Sequence, residues 1–323
     1  MNASLQQVRS WGGTINATHR VLRLKSRDAG VAVMQSAQAP TLAFGRGRSY
    51  GDVPLNPGGT LIDCCGLDRF ISFDRATGSL HCEAGVRLAD ILAVVCKPEP
   101  GGGGWFLPVS PGTRFVTLAG AIANDVHGKN HHGFGTIGRH IESLELARSD
   151  GSRIVCSPTA EPDLFAATIG GLGLTGLILS ATLRLRRVDG LALEAEDIRF
   201  DSLDDYFDLA AESEPSWEYT AAWVDCAARG AALGRGIYSR ARHAPGVGAA
   251  APPREPRRNV PFVPPVGFVN RLSLRIFNAL YWRKLGSSGR AQRTGSYESV
   301  FYPLDAIGSW NWPAPGFVDT HLS

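Results

Sequence analysis

Lysine is scarce in this sequence. Of 33 basic residues only Lys25, Lys97, Lys129 and Lys284 are lysines, and the formal net charge is just +3. That balance is too small to argue for nucleic-acid binding by the chain as a whole. The six cysteines (64, 65, 82, 96, 156 and 226) include no CxxC pair, and the histidines are not at zinc spacing. No signal-peptide pattern opens the chain. Reduced thiols, a cytoplasmic setting and no disulfide framework are therefore expected. By spacing, the glycine run Gly45–Asp52 is neither GxGxxG nor GxxxxGK[ST], so the Rossmann and P-loop readings both fail for it, and there are no internal repeats. The longest notable uncharged run, Leu164 to Leu183, is 20 residues, which reaches the roughly 20 needed to span a bilayer. Gly170, Gly171, Gly173 and Gly176 sit in its middle, each costing a helix about 1 kcal/mol relative to Ala. A helix, a glycine turn and a buried strand over Leu177–Leu185 fit better.

What is abundant is glycine, with 38 in 323 residues, alongside 44% hydrophobic and 20% charged residues. A chain of this size can bury the cores of two domains. Residues 1–188 read as alternating strands and helices. Strands are predicted at Thr41–Phe44, Thr60–Asp63 and Ser79–Glu83, with Thr77-Gly78 as a turn between the last two. Leu88–Val95 has helical spacing, Gly101–Gly104 is a flexible loop, and Ser143–Ala147 with Arg153–Val155 forms a hairpin around Ser149-Asp150-Gly151. Composition shifts after Val188. The next stretch opens acidic (Glu194, Glu196, Asp197, Asp201, Asp204, Asp205, Asp208), whereas Arg235 to Arg293 carries twelve Lys/Arg against Glu255 alone. Within it a basic, Pro-rich loop covers about 240–266; six prolines fall in 252–265, which excludes regular structure there. Phe268–Lys284 then has helical apolar spacing.

Three glycine-rich constellations carry the chemistry. The first, Phe44-Gly45-Arg46-Gly47-Arg48-Ser49-Tyr50-Gly51-Asp52-Val53, directly follows a strand. Its alternating glycines let backbone N–H groups converge on anionic oxygen, and its arginines and serine add donors. Taken alone it reads equally as a glycine turn with solvated arginines. The second runs from Pro111-Gly112-Thr113 through Thr117-Leu118-Ala119-Gly120 to Asn124-Asp125-Val126-His127-Gly128-Lys129-Asn130-His131-His132. Small residues at 119–121 and 123 let a flat ligand lie against the backbone. A metal site is disfavoured because His131 and His132 are adjacent and no carboxylate or Cys completes a set; an ordinary polar loop remains the other reading. The third is Gly170-Gly171-Leu172-Gly173-Leu174-Thr175-Gly176, leading into Ile178. Together the three suit a long diphosphate ligand threaded between two α/β subdomains.

In these runs the sequence resembles the flavin-dependent oxidases of the vanillyl-alcohol-oxidase type, with a PCMH-type FAD-binding domain, in order from about residue 8 to 312. The resemblance implies an α+β protein: a PCMH-type FAD-binding domain of two α/β subdomains over 1–188, followed by an incomplete α+β substrate domain over 189–323. It implies FAD as cofactor, with Phe44 to Val53 around the pyrophosphate, and Gly112, Thr113, Thr117, Leu118, Ala119, Gly120, Asn124, Asp125, Val126, His127 and Gly128 lining it. Ile178 would contact the adenine end. Several relatives carry a flavin-tethering His where this chain has Arg48, so the FAD is expected to be non-covalent. His127 and Lys129 are the catalytic candidates, placed near the flavin ring or a substrate phosphate. The implied reaction oxidises a secondary alcohol of a sugar: a base takes the hydroxyl proton while hydride passes to flavin N5.

The resemblance further implies a sugar or polyprenyl-phosphate sugar as substrate, with a short-chain dehydrogenase as the partner that reduces the product. A sugar-1,4-lactone or alditol oxidase, or a catalytically inactive FAD-binding remnant, are the alternatives. The family pattern continues for roughly a hundred residues past Trp310-Asn311 and there returns a lysine and a tyrosine to the site. None of the four lysines here matches, so a truncated chain is expected. The basic stretch, with Phe268, Leu272, Leu274, Ile276, Phe277, Leu280, Tyr281 and Trp282 as its apolar side, reads equally as a peripheral membrane contact or as an ordinary substrate-domain helix.

Overall fold

The computed structural model describes residues 3–38, 40–100, 102–246, 258–259 and 270–308. Two sheets come first. An N-terminal hairpin, β1 (Ser4–Arg9) and β2 (Asn16–Arg23), joins β3 (Thr41–Phe44) and β4 (Thr60–Asp63) in the order β1-β2-β4-β3, with α1 (Gly30–Ser36) between β2 and β3. β4 runs parallel to both β2 and β3. Thr60, Leu61 and Ile62 are buried, as expected of a strand covered on both faces.

The second sheet contains β5 (Phe70–Asp74), β6 (Ser79–Glu83), β8 (Ile141–Ala147), β9 (Arg153–Cys156) and β10 (Leu177–Arg184), ordered β5-β6-β10-β8-β9. Every pairing in it is antiparallel. The Thr77-Gly78 turn therefore does not join β4 to β6, as the sequence suggested; it closes the β5–β6 hairpin, and β4 lies in the other sheet. β5 was not anticipated because its apolar residues Phe70 and Ile71 are exposed, leaving no one-sided pattern. α2 (Leu88–Val95) buries Leu88, Ile91, Leu92 and Val95 at helical spacing in the common core, and α5 (Pro162–Thr168) lies beside β9 of this sheet. The uncharged run is thus a helix, a glycine turn and a strand. Between them in the chain come β7 (Gly104–Phe106), α3 (Leu118–Ala123) and α4 (His131–Phe134), and β7 pairs with β11 (Arg186–Val188).

A third, antiparallel sheet follows: β12 (Ala192–Phe200), β13 (Tyr219–Val224), β14 (Gly236–His243) and β16 (Arg290–Ser296), in the order β13-β14-β12-β16, with α6 (Leu203–Ser213) on one face. Its other face joins the common core through Leu193, Ala195, Tyr219 and Ala241. The acidic opening of this region divides: Asp201, Asp204, Asp205 and Asp208 are exposed, whereas its first three acids are paired. Glu194, Glu196 and Asp197 lie within β12 and pair with Arg242, Arg240 and Arg293 of the two flanking strands. The acidic and basic stretches were separate in sequence and neutralise each other in the sheet.

α7 (Arg271–Arg283), α8 (Glu298–Phe301) and a two-residue parallel pairing of β15 (Arg258–Asn259) with β17 (Ile307–Gly308) complete the elements. The Pro-rich loop begins later than expected, because β14 runs on to His243, and β15 puts a short piece of pairing inside it; most of that loop, with Gly101, Phe268 and the tail from residue 309, lies outside the described residues.

Candidate flavin-binding cleft

The three glycine constellations, up to 130 residues apart in sequence, meet at α3. The first follows β3 directly. Gly47 and Gly51 have φ of +58° and +57°, the left-handed region that glycine enters without steric cost. Among the described residues the backbone N–H groups of Arg46 to Tyr50 have no acceptor within the chain. The loop is held by its edges instead: Cys64 N–H donates to Phe44 O at 2.9 Å, and Cys65 Sγ–H to Gly45 O at 3.2 Å.

Gly45 lies against Thr117, so closely that an added Cβ would sit 2.7 Å from Thr117 Oγ1. That oxygen caps α3 by accepting from Gly120 N–H at 3.1 Å. Leu118, Ala121 and Ile122 turn into the core, whereas Asn124 is exposed and bonds back to Gly120 O at 2.8 Å. The third constellation closes on the other end of α3: Gly170 N–H reaches Ile122 O at 3.0 Å, and Leu172 N–H reaches Ala123 O at 2.9 Å. Gly173 stands beside β3, with Ala43 Cβ 3.7 Å from where its own Cβ would be. Ile178, at the start of β10, is only 5% exposed and belongs to the core.

The turn after α3 is strained. Asp125 has φ of +41°, uncommon for a residue with a side chain, and its Oδ1 accepts from Gly138 N–H at 3.0 Å. The chain then passes Val126 to His127, which is exposed and whose ring meets that of His131 edge-on at 5.6 Å. Gly128 packs on backbone; a Cβ there would lie 2.7 Å from Ser110 O. Lys129 is half-buried, and its carbonyl accepts from Thr220 N–H of β13 at 2.8 Å, which brings the loop under the third sheet. No partner for the Lys129 ammonium exists among the described residues, and burial lowers its pKa below the ordinary lysine value.

Several participants carry no sequence signal because they come from distant segments. The Arg48 guanidinium lies 4.0 Å over the Trp11 ring, a cation–π contact. Burial pushes the pKa of Arg48 down, partly opposed by Asp305. Asp305 accepts from Arg114 N–H at 2.9 Å, is itself raised by burial, and packs beside Thr113 and Arg48. Tyr302 and Ser110 share a buried hydroxyl contact. The Tyr302-Pro-Leu-Asp305 stretch thereby closes onto the Pro111-Gly112-Thr113 loop, where Gly112 faces open space.

A run of free N–H groups after a strand, open space in front of Gly51 and Gly112, and a half-buried cation without a counter-charge among the described residues fit a ligand with a diphosphate and a flat ring. The comparisons with known proteins agree. Residues 19–157 match the FAD binding domain family. Over 329 aligned residues the chain is 33% identical to decaprenylphosphoryl-β-D-ribose oxidase of Mycolicibacterium smegmatis, covering 97% of this chain and 70% of that protein. It is 27% identical over 164 residues to D-arabinono-1,4-lactone oxidase of Yarrowia lipolytica, covering 50% of this chain and 28% of that enzyme. To L-gulonolactone oxidase of Mus musculus it is 28% identical over 156 residues, 48% of this chain and 33% of the enzyme. The chain belongs to the PCMH-type FAD-dependent oxidases, a family of FAD-dependent oxidoreductases.

Proposed function

We propose that this protein oxidises a secondary alcohol of a phosphate-bearing sugar, of the polyprenyl-phosphoryl ribose kind, using FAD bound without a covalent link. The observation that carries the reading is Lys129: a half-buried ammonium with no counter-charge among the described residues, on a loop tied to the sheet above it. Such a group is costly unless an anion completes it, and a substrate phosphate or an electron-rich flavin ring would do so. The likeness to a decaprenylphosphoryl-ribose oxidase over nearly the whole chain supports the same substrate class.

In this reading residues 1–188 form the FAD-binding domain and 189–323 the substrate domain. The N–H groups of Arg46 to Tyr50 and the Arg46 and Arg48 side chains hold the pyrophosphate. Gly112, Thr113 and Thr117 to Gly120 give the ring a flat floor, with Asn124 to Gly128 at its edge. When bound, FAD supplies the acceptor for the hydrogen leaving the alcohol carbon with its electron pair. His127, exposed at the end of the Asn124–Gly128 turn, is placed to exchange the hydroxyl proton, and Lys129 holds the substrate's negative charge. Arg48 provides no nucleophilic ring nitrogen, so the cofactor dissociates intact. The ketone product would pass to a short-chain dehydrogenase.

The test has two stages. Acid precipitation of the yellow protein should leave flavin in the supernatant; flavin in the pellet would overturn non-covalent binding. Anaerobic mixing with a phosphoryl-ribose should then bleach the flavin band. Bleaching by a sugar lactone or alditol alone would favour that oxidase class, and no bleaching by any sugar would mark a non-catalytic FAD-binding protein.

A further inference from the structure

Six basic residues of the stretch from Arg235 to Arg293 lie against carboxylates within the fold. Arg235 pairs with Asp225, Arg240 with Glu196, Arg242 with Glu194 and Arg293 with Asp197, while Arg290 and Lys284 lie 3.7 and 3.9 Å from Glu196 and Asp197. Arg275 and Arg283 on α7 are different. Both are exposed, and neither has a side-chain partner among the described residues.

α7 is firmly seated by one face. Asn270 Oδ1 caps it, accepting from Leu272 and Ser273 N–H at 3.0 Å each. Asn278 Nδ2 donates to Asp225 at 2.6 Å, and the Tyr281 ring meets Trp223 at 4.8 Å. The opposite face is apolar and open. Leu272, Ile276 and Leu280 occupy one stripe on successive turns at 68%, 54% and 65% exposure, with Phe277 beside them at 56%. At 3.6 residues per turn Arg275 borders this stripe and Arg283 continues it beyond Leu280. A contiguous apolar face on a fixed helix marks an interaction site, unlike singly scattered apolar residues.

We propose that this face of α7 docks on an anionic phospholipid bilayer, with Leu272, Ile276, Phe277 and Leu280 in the acyl boundary and Arg275 and Arg283 among the headgroups. Charge decides the occupant. No acidic residue occurs between Glu255 and Glu298, so a second copy seated on this stripe would set arginines against arginines with nothing on the helix to pair them. An anionic surface complements both halves of the face. The inference extends the reading of a polyprenyl-linked substrate: α7 packs on the end of β13, the strand bonded to the Lys129 loop, so docking would hold the cleft close to a lipid-borne sugar.

The test is flotation of the full-length, FAD-loaded protein with sugar-free vesicles of phosphatidylcholine, with and without 30% phosphatidylglycerol. Binding is expected to the anionic vesicles only and to weaken with salt. Arg275→Gln/Arg283→Gln should bind about thirtyfold more weakly, and Ile276→Asp/Leu280→Asp should not float, with flavin absorbance unchanged in both. Equal binding by the variants, or no binding by the native chain, would overturn the proposal. So would a dimer in sedimentation that Ile276→Asp/Leu280→Asp converts to monomer. Because no sugar is present, failure of the substrate reading would appear in turnover and leave flotation unaffected.

Discussion

Gly45 and Thr117 touch: the space a Cβ would need at position 45 lies 2.7 Å from the hydroxyl that caps α3. The loop after β3 and the helix behind the cleft are thus fitted to each other at a single atom. Gly45→Ala must displace Thr117 Oγ1, remove a cap contributing about 1 kcal/mol and shift the free N–H groups of Arg46 to Tyr50. The expected result is a folded protein that retains FAD at least about tenfold less well, read from flavin fluorescence released on dilution. Full retention would separate the loop from the cofactor.

Lys129→Met keeps the volume and removes the charge. Loss of a charge-assisted contact is worth about 1.5–3 kcal/mol, so KM for a phosphoryl sugar should rise about 10–150-fold with bound flavin unchanged. Burial already lowers the pKa of this lysine. Affinity for an anionic sugar should therefore be full at low pH and fall as pH rises through that lowered value. A neutral sugar with the same KM increase would place Lys129 against the ring and not the phosphate.

His243 sits at the joint between the third sheet and the core. Its Nδ1 meets Gly190 O at 2.7 Å, its Nε2 meets Tyr219 OH at 3.0 Å, and its ring packs edge-on to Phe106. Burial, aided by Arg186, pushes its pKa down to about 4, against the weaker opposing effect of the Gly190 carbonyl. The unfolded chain, with an ordinary value near 6.5, binds the proton first, so this group leaves stability intact above about pH 6.5 and erodes it as pH falls toward 4. Stability should drop by about 2 kcal/mol between pH 7 and 5 from this site alone. His243→Gln should flatten that part of the urea-unfolding profile; an unchanged slope would show that another group governs it.

Asp305 ties the Tyr302-Pro-Leu-Asp305 stretch to the cleft through Arg114 N–H. Asp305→Ala leaves that donor buried without a partner and should cost about 1–3 kcal/mol, measured as a lower Tm. Asp305→Asn, which keeps an acceptor oxygen, should recover part of the loss. Equal loss in both would assign the effect to charge near Arg48 and not to the hydrogen bond.

Much of the scaffold was legible locally. Thr41–Phe44, Thr60–Asp63, Ser79–Glu83 and Leu88–Val95 form the elements that their patterns suggested, with the same ends. Each is a short apolar run stopped by a turn residue or a cap, and those signals act over a few residues. The glycine loops were legible for the same reason, since Gly47, Gly51, Gly170 and Gly173 all take positive φ that other residues resist.

The cleft itself needed contacts between distant segments. Nothing near Arg48 announces Trp11, nothing near Arg114 announces Asp305, and nothing near Glu196 announces Arg240. Local periodicity records which face of an element is apolar. It does not record which element covers that face, because strand order and ion pairing are set by long-range packing of the whole core. So the chain's composition already held both the acids of β12 and the arginines that answer them, and only the folded sheet determined which arginines were spent there and that, among the described residues, Arg275 and Arg283 of α7 were not.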